Sequence, residues 1–151
     1  MIKQQKGFTL IELLVVIAII GLLSTLAVVS LNSARSKARD GKRLSEMKNL
    51  QTALEMYYND KSIYPTSTAL GFTLGDSTHR TFSEAGFTAA AGSSGSVYAQ
   101  TVNPDPMVSQ NYTYYGDATG TMYFIRFNLE NNNAELGGKS CTFSNTSTSC
   151  S

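Results

Sequence analysis

The feature that most constrains this chain is an almost uninterrupted apolar run over residues 8–31. Of these 24 residues, 18 are apolar and one is glycine, while the five polar ones are threonine, serine and Glu12. A helix rises about 1.5 Å per residue, so the run spans about 36 Å and can cross the roughly 30 Å hydrocarbon core of a bilayer. We therefore predict a membrane-spanning helix here. A buried core helix is the alternative, but few soluble domains offer 24 such positions.

The rest of the 151-residue chain is much more polar and is long enough for one ordinary domain. The net charge is +1, and 15% of the residues are charged. This composition excludes a polytopic membrane protein, a highly charged disordered chain and a strongly basic nucleic-acid binder. The sequence thus predicts one end that belongs in lipid and one domain that belongs in water.

Glu12 is the anomaly of the apolar run, because it lies only four residues after the run begins. An ionised carboxylate at the centre of a membrane helix costs about 2.5–3.5 kcal/mol, and somewhat less near the end. No basic residue lies within one helical turn of it, which makes Glu12 a candidate functional group. The alternative is a carboxylate at the headgroup level, where the positive end of the helix dipole favours it.

Residues 6–16 read Lys-Gly-Phe-Thr-Leu-Ile-Glu-Leu-Leu-Val-Val and follow a short basic start. This stretch resembles the leader junction of type IV pilins and pseudopilins. The resemblance implies that a prepilin peptidase and N-methyltransferase removes the leader, residues 1–7, on the cytoplasmic face. Cleavage would fall between Gly7 and Phe8, and the new amine of Phe8 would be N-methylated. Glu12 occupies the place of the family glutamate that pairs with the terminal amine of a neighbouring subunit.

The physical argument agrees with this resemblance. A carboxylate and an α-amine are each costly in lipid, whereas two subunits side by side satisfy both groups at once. The resemblance therefore implies a homo-oligomer, a helical filament built with the help of an assembly platform and minor pilins. It places the chain first in the cytoplasmic (inner) membrane, in contact with lipid as a single-pass protein, and then in an extracellular pilus at the cell surface.

The helical period continues beyond the membrane run, over residues 32–61. One face carries Leu44, Met47, Gln51, Leu54 and Tyr58 at steps of three or four residues. This spacing predicts an amphipathic helix that packs on a sheet and continues the membrane helix as one element of about 50 residues. The polar residues 59–62, followed by Tyr64 and Pro65, mark its end.

A basic cluster at residues 35–43 has three interpretations. It forms a solvated or headgroup-facing collar, it pairs with acids such as Glu46 and Glu55 between subunits, or it captures DNA. Asp40 interrupts the cluster, and no aromatic residues alternate with it to stack on bases, so the DNA signal is weak.

The second half of the chain predicts a small sheet. Residues 62–110 are rich in Ser, Thr, Gly and Ala, which favours an irregular connecting segment with one short helix near 83–91. Residues 111–115 and 121–130 are rich in strand formers and predict an antiparallel hairpin, followed by a turn at 131–133 and a third strand at 134–136. The predicted fold class is α+β, a long N-terminal helix packed on a small antiparallel sheet spanning residues 111–151.

Two cysteines, Cys141 and Cys150, lie near the end of the chain. They form a small disulfide loop if the compartment is oxidising, or remain two free thiols in a cytosolic chain. Pilins often carry a C-terminal disulfide loop, so the resemblance implies a disulfide here and favours a pilin over the major pseudopilin.

Motifs of catalysis and of cofactor binding are missing, so the sequence predicts neither an enzyme nor a cofactor nor a metal site. The resemblance raises calcium as a weaker alternative, because major pseudopilins bind it in their C-terminal loops. Oxygens would come from four acids without EF-hand spacing, namely Asp105, Asp117, Glu130 and Glu135.

The predicted function is that of a structural subunit of a type IV pilus-like filament, serving motility, adhesion or DNA uptake. The first alternative is a pseudopilin of a type II secretion system. The second is a membrane-anchored binding domain that never polymerises.

Overall fold

The computed structural model describes residues 7–89, 95–133 and 136–151. Over these residues the chain forms one helix, α1, at Leu10–Lys61, followed by eight strands. It divides into two compact units, of which the first ends at Ser36 and the second comprises Lys37–Ser151. The expected helix of about 50 residues is confirmed, since α1 has 52 residues.

The first unit consists of the apolar part of α1. Its large hydrophobic side chains are all exposed, from Leu10 at 82% to Leu31 at 51%. An 18-residue window has a mean hydropathy of 2.8, and none of it is buried. By length and composition, α1 is therefore able to cross a membrane.

The second unit contains the remaining part of α1 and all of the strands. The buried residues of α1 recur every three or four positions, at Asp40, Arg43, Met47, Leu50, Ala53, Leu54 and Tyr57. The predicted face is thus rotated by about one residue, because Leu50 and Tyr57 are buried where Gln51 and Tyr58 were expected. The buried face also begins with Asp40 and Arg43, which hydropathy did not place there because both are charged.

The strands form two antiparallel sheets. The larger has the order β1-β5-β6-β7-β8, with bounds Phe72–Leu74, Tyr112–Gly116, Tyr123–Asn133, Gly138–Ser144 and Thr148–Cys150. The smaller has the order β3-β2-β4, with bounds Gly86–Thr88, Thr81–Ser83 and Val97–Ala99. The fold class is therefore α+β, as the sequence predicts.

Strand β6 shows why one face of the larger sheet is buried and the other faces solvent. Its inward residues Tyr123, Ile125, Phe127 and Leu129 are buried and belong to the same hydrophobic core as Met47 and Leu54 of α1. The residues between them are exposed. This alternation is typical of an antiparallel sheet that covers a core on one side and faces solvent on the other.

The segment 62–110 differs from its prediction, because it contains β1 to β4. The short helix expected near 83–91 is wrong over residues 83–89, which form strands and a turn, while residues 90–94 lie outside the described residues. The physical reason is aromatic pairing across the strands. Phe82 lies directly opposite Phe87, with ring centroids 4.4 Å apart, and such pairs stabilise short strands.

The hairpin predicted at 111–115 and 121–130 is observed as β5 and β6, with its bounds shifted by a few residues. The turn expected at 131–133 is wrong, because β6 continues to Asn133 and pairs there with Gly138 of β7. Of the third strand expected at 134–136, residues 134 and 135 lie outside the described residues, and Leu136 lies in a turn.

The C-terminal hairpin of β7 and β8 carries the two cysteines. Cys141 and Cys150 lie directly opposite each other in the strand pair and form a disulfide. Cys141 is completely buried in the hydrophobic core. The disulfide that the resemblance implies is thereby confirmed, and the alternative of two free thiols is wrong.

Candidate functional site

The predicted cleavage residues lie just before the helix. Gly7 and Phe8 are outside α1, and the Phe8 side chain is 86% exposed. Among the described residues, no atom beyond the chain neighbours of Gly7 lies within 4 Å of the position that a Cβ there would take. The peptide bond between these residues therefore lies in exposed, non-helical chain. Residues 1–6 of the predicted leader are outside the described residues.

Glu12 closes a capping box with Thr9 at the start of α1. The backbone N–H and the hydroxyl of Thr9 both donate to Oε2 of Glu12, at 2.8 and 2.6 Å. The backbone N–H of Glu12 donates in return to the Thr9 hydroxyl at 3.3 Å. This exchange satisfies donors that a helix start otherwise leaves open. The pattern Thr-x-x-Glu could have predicted this role of Thr9 from the sequence.

The surface around Glu12 is apolar and uncovered. A shallow depression of about 350 Å³ is lined by Phe8, Ile11, Glu12, Val15 and Val16. Covering this surface with lipid or with another helix would bury the carboxylate, and a buried carboxylate needs a cationic partner to offset its desolvation. The geometry thus fits the role in assembly that the resemblance implies for Glu12.

The second unit contains an ionic network centred on Arg43. The guanidinium is completely buried, and its Nε and Nη2 donate to the two carboxylate oxygens of Asp105, both at 2.8 Å. Its Nη1 donates to Asp40 at 2.7 Å and to Glu130 at 2.9 Å. The planar fork of arginine binds both oxygens of one carboxylate in parallel, a bidentate geometry that the ammonium group of lysine lacks. Helix α1, the segment before β5 and strand β6 are therefore joined through one side chain.

The same network includes Arg39, whose Nε and Nη2 both donate to Glu130 at 2.6 Å. Asp40 accepts the backbone N–H groups of Glu130 and Asn131, at 2.8 and 2.9 Å. The hydrogen bond from Arg39, helped by that from Arg43, lowers the pKa of Glu130 to about 2. Burial alone would raise the pKa of Asp40, but its hydrogen bonds outweigh burial and lower it.

These contacts correct the interpretations of the basic cluster. Arg39 and Arg43 bind acids of their own chain, and Arg43 is completely buried, so it is not available as a solvated collar, an inter-subunit surface or a DNA contact. For the other cations of the cluster the three interpretations stay predictions. The two acids proposed to pair between subunits are also engaged within the chain. Glu46 accepts the hydroxyl of Tyr112 at 2.8 Å, and Glu55 accepts that of Tyr64 at 3.0 Å.

The acids raised as calcium ligands have other partners. Asp105 and Glu130 bind arginines, as described above. Asp117 accepts hydrogen bonds from Thr119, Thr121 and the backbone of Met122 within its own turn. Glu135 lies outside the described residues. Within the described part of the chain, no three His, Cys, Asp or Glu side chains form a group that could hold a metal ion.

Comparison with known proteins gives matches for part of the chain. The model of the prokaryotic N-terminal methylation motif matches residues 2–28. Type II secretion system core protein G of Klebsiella michiganensis is 45% identical over 65 residues, which are 43% of this chain and 46% of that protein. The protein of the same name from Vibrio cholerae is 40% identical over 65 residues, 43% of this chain and 44% of that protein.

A second kind of relative is the fimbrial protein EcpC of Eikenella corrodens. It is 39% identical over 70 residues, which are 46% of each chain. The chain therefore spans a little under half the length of the relatives it matches. No solved structure matches it at a significant level.

The long helix with its apolar part, the antiparallel sheets and the N-terminal motif define a protein of α+β, pilin-like architecture with a membrane anchor. The resemblance to the type IV pilin and pseudopilin family is confirmed, because the methylation motif and both kinds of relative point to it.

Proposed function

We propose that this chain is a structural subunit of a type IV pilus-like filament, which is inserted in the cytoplasmic membrane and polymerises through its N-terminal helix. The observation that carries this proposal is the uncovered apolar surface of α1, with a single carboxylate, Glu12, in its first turn. A surface of this size is not left exposed to water, because burying apolar area is strongly favourable. Lipid covers it before assembly, and neighbouring helices cover it in the filament.

Processing supplies a cationic partner for Glu12. A prepilin peptidase and N-methyltransferase cleaves between Gly7 and Phe8 and methylates the new amine of Phe8, which keeps its positive charge. In the filament this amine binds the Glu12 carboxylate of the neighbouring subunit. Two charges that are each costly in an apolar environment then offset one another, which favours one axial register of the subunits.

The second unit forms the outer surface of the filament and performs mechanical or adhesive work, not catalysis. Its hydrophobic core, the Arg43 network and the disulfide hold it rigid, as a filament subunit under mechanical load requires. Its partners are other copies of the chain, minor pilins and the assembly platform. It ends at the cell surface as part of an extracellular pilus.

A second candidate function is that of a pseudopilin in a type II secretion system. It is favoured by the relatives named type II secretion system core protein G. The C-terminal disulfide supports the pilin instead, because the resemblance associates that loop with pilins.

Electron microscopy of material sheared from the cell surface, with gold-labelled antibody against the second unit, tests the proposal. Labelled surface filaments are the expected result. Labelled filaments that appear only when the chain is overproduced with a type II secretion system would support the pseudopilin. Processed chain that stays monomeric in the membrane would overturn both and support the anchored binding domain.

A further inference from the structure

The outward face of the larger sheet carries an aromatic pair that the proposed function does not use. Tyr115 of β5 and Phe124 of β6 lie directly opposite each other, and their rings stack with centroids 4.6 Å apart and 15° between their planes. Phe124 is 37% exposed, and Met122 beside it is 57% exposed. These side chains point away from the hydrophobic core and contribute apolar surface to the solvent side.

The pair lies in a cleft of about 470 Å³, which is the size of ordinary small-molecule sites. Met122 and Ala69 add further apolar surface to its lining, and polar groups come from the hydroxyl or amide side chains of Thr142, Ser144, Asn145 and Thr146. Such groups both donate and accept hydrogen bonds, as the hydroxyls of a sugar do. An apolar platform with a rim of this chemistry matches a ligand that has one apolar side and many hydroxyls.

Arg126 supplies the one cationic side chain in the described lining of the cleft. Its guanidinium carbon lies 5.3 Å from the centroid of the Tyr115 ring. The ion pairs found among the described residues involve Arg39 and Arg43 but not Arg126. Asp117 is the one carboxylate in that lining. Asp117 keeps its negative charge, but because its oxygens are engaged by its own turn, Arg126 is the side chain of this lining that can bind an anionic group.

From this geometry we propose that the cleft binds an acidic glycan, specifically an oligosaccharide of uronic acid. The weakly positive C–H groups on one side of a sugar ring pack on the exposed face of Phe124, because the ring of Tyr115 already contacts Phe124 and Arg126. The carboxylate, which is attached directly to that ring, forms a charge-assisted hydrogen bond with Arg126. The polar rim binds the sugar hydroxyls. This site would give the subunit a ligand of its own, independent of whether it polymerises.

The test measures binding to the full chain in a polyoxyethylene detergent, because the sugar headgroup of a maltoside would compete. Titration calorimetry compares tetragalacturonate with its fully methyl-esterified form, which keeps the rings and removes the charge. We expect the acid to bind about tenfold more tightly than the ester, the difference that one hydrogen bond to a charged group supplies.

Two variants and two matched controls locate the site. R126Q should weaken binding of the acid about tenfold and leave binding of the ester within about twofold, whereas F124A should weaken both about tenfold. R80Q removes an exposed arginine outside the cleft, and V108A truncates a fully exposed apolar side chain outside it, so neither should change either affinity. An R126Q variant that still prefers the acid would overturn the proposal. So would self-association of the wild-type chain that F124A abolishes without any sugar binding, because the face would then bind a second copy.

Discussion

Arg43 and Asp105 form a bidentate ion pair from which water is excluded. The two residues are 62 positions apart in the chain, their side chains are both completely buried, and both of their hydrogen bonds are 2.8 Å long. The pair fixes helix α1 to the segment that leads into β5. Arg43 is the cationic partner of the buried Asp105, and Asp105 is the one acid that binds Arg43 through both of its carboxylate oxygens.

Removing the acid of this pair should destabilise the second unit strongly. D105N keeps the size of the side chain but turns an amide N–H group towards an N–H of Arg43, whose charge still has Asp40 and Glu130 as partners, and we expect a loss of about 1.5–3 kcal/mol. The measurement is a urea titration of the full chain in detergent, followed by tyrosine fluorescence, since the chain has eight tyrosines and no tryptophan. As a control, E84Q breaks the exposed pair with Lys61 and should cost less than about 1 kcal/mol. Equal losses in both variants would contradict the prediction.

The stability of the second unit should fall in acid because of Glu130. Its pKa is lowered to about 2 in the folded state, against about 4.3 in an unfolded chain. The stabilisation is therefore fully present above about pH 5 and is lost as the pH falls towards 2. The measurement is the free energy of unfolding from pH 7 to pH 2, with E130Q as the comparison. E130Q should be less stable at pH 7 and should show a flatter profile, and a profile parallel to that of the wild type would refute this assignment.

Opening the disulfide should loosen the C-terminal hairpin. The loop closed by Cys141 and Cys150 spans ten residues, and the chain-entropy estimate for such a loop is about 2–3 kcal/mol. C141A/C150A should lower the free energy of unfolding by at least that amount, because Cys141 is also part of the core. Limited proteolysis should then cut first between β7 and β8. Adding a reductant should change the wild type in the same direction and leave the double variant unchanged, and any other outcome argues against a structural disulfide.

Glu12 should be required for assembly and not for membrane insertion. E12Q keeps an acceptor oxygen for the capping bonds from Thr9 but removes the charge that the Phe8 amine needs. We expect E12Q to remain in the membrane fraction and to form no filaments, as judged by electron microscopy of sheared material. S24A, in the same apolar run, should assemble normally. If E12Q filaments are as abundant as those of the wild type, the pairing of amine and carboxylate is not the mechanism in this chain.

Gly7 should be required for removal of the leader. A bulky side chain at the residue before the cleaved bond hinders the peptidase, so G7L should retain residues 1–7. Intact mass spectrometry of the membrane-extracted chain measures this directly. Q4A, inside the leader, should be processed and should match the wild-type mass. A wild-type filament subunit that still carries the leader would contradict the processing step.

Much of the fold could be predicted from local patterns. The apolar run and the polar period behind it predicted one helix, and α1 at Leu10–Lys61 confirms it. Alternating strand formers predicted the hairpin of β5 and β6. The short strands β1 to β4 were missed, because three residues carry almost no periodic signal and their stability comes from partners such as Phe82 and Phe87 across the sheet.

The candidate site likewise combines residues that a local motif identifies with contacts that only the fold brings together. Gly7, Phe8 and Glu12 stand within six residues of one another, so a contiguous motif was enough to single them out as candidates, and the sequence by itself determined the long apolar helix that follows. Only the tertiary structure decided that Arg43 binds Asp105 and Glu130, 62 and 87 residues away. It likewise gave Arg126 an aromatic neighbour instead of an acid. Pairing at such separations depends on which strands lie side by side, and charge along the chain does not encode it. Two arginines of the basic cluster, Arg39 and Arg43, therefore stabilise the second unit by binding acids of their own chain.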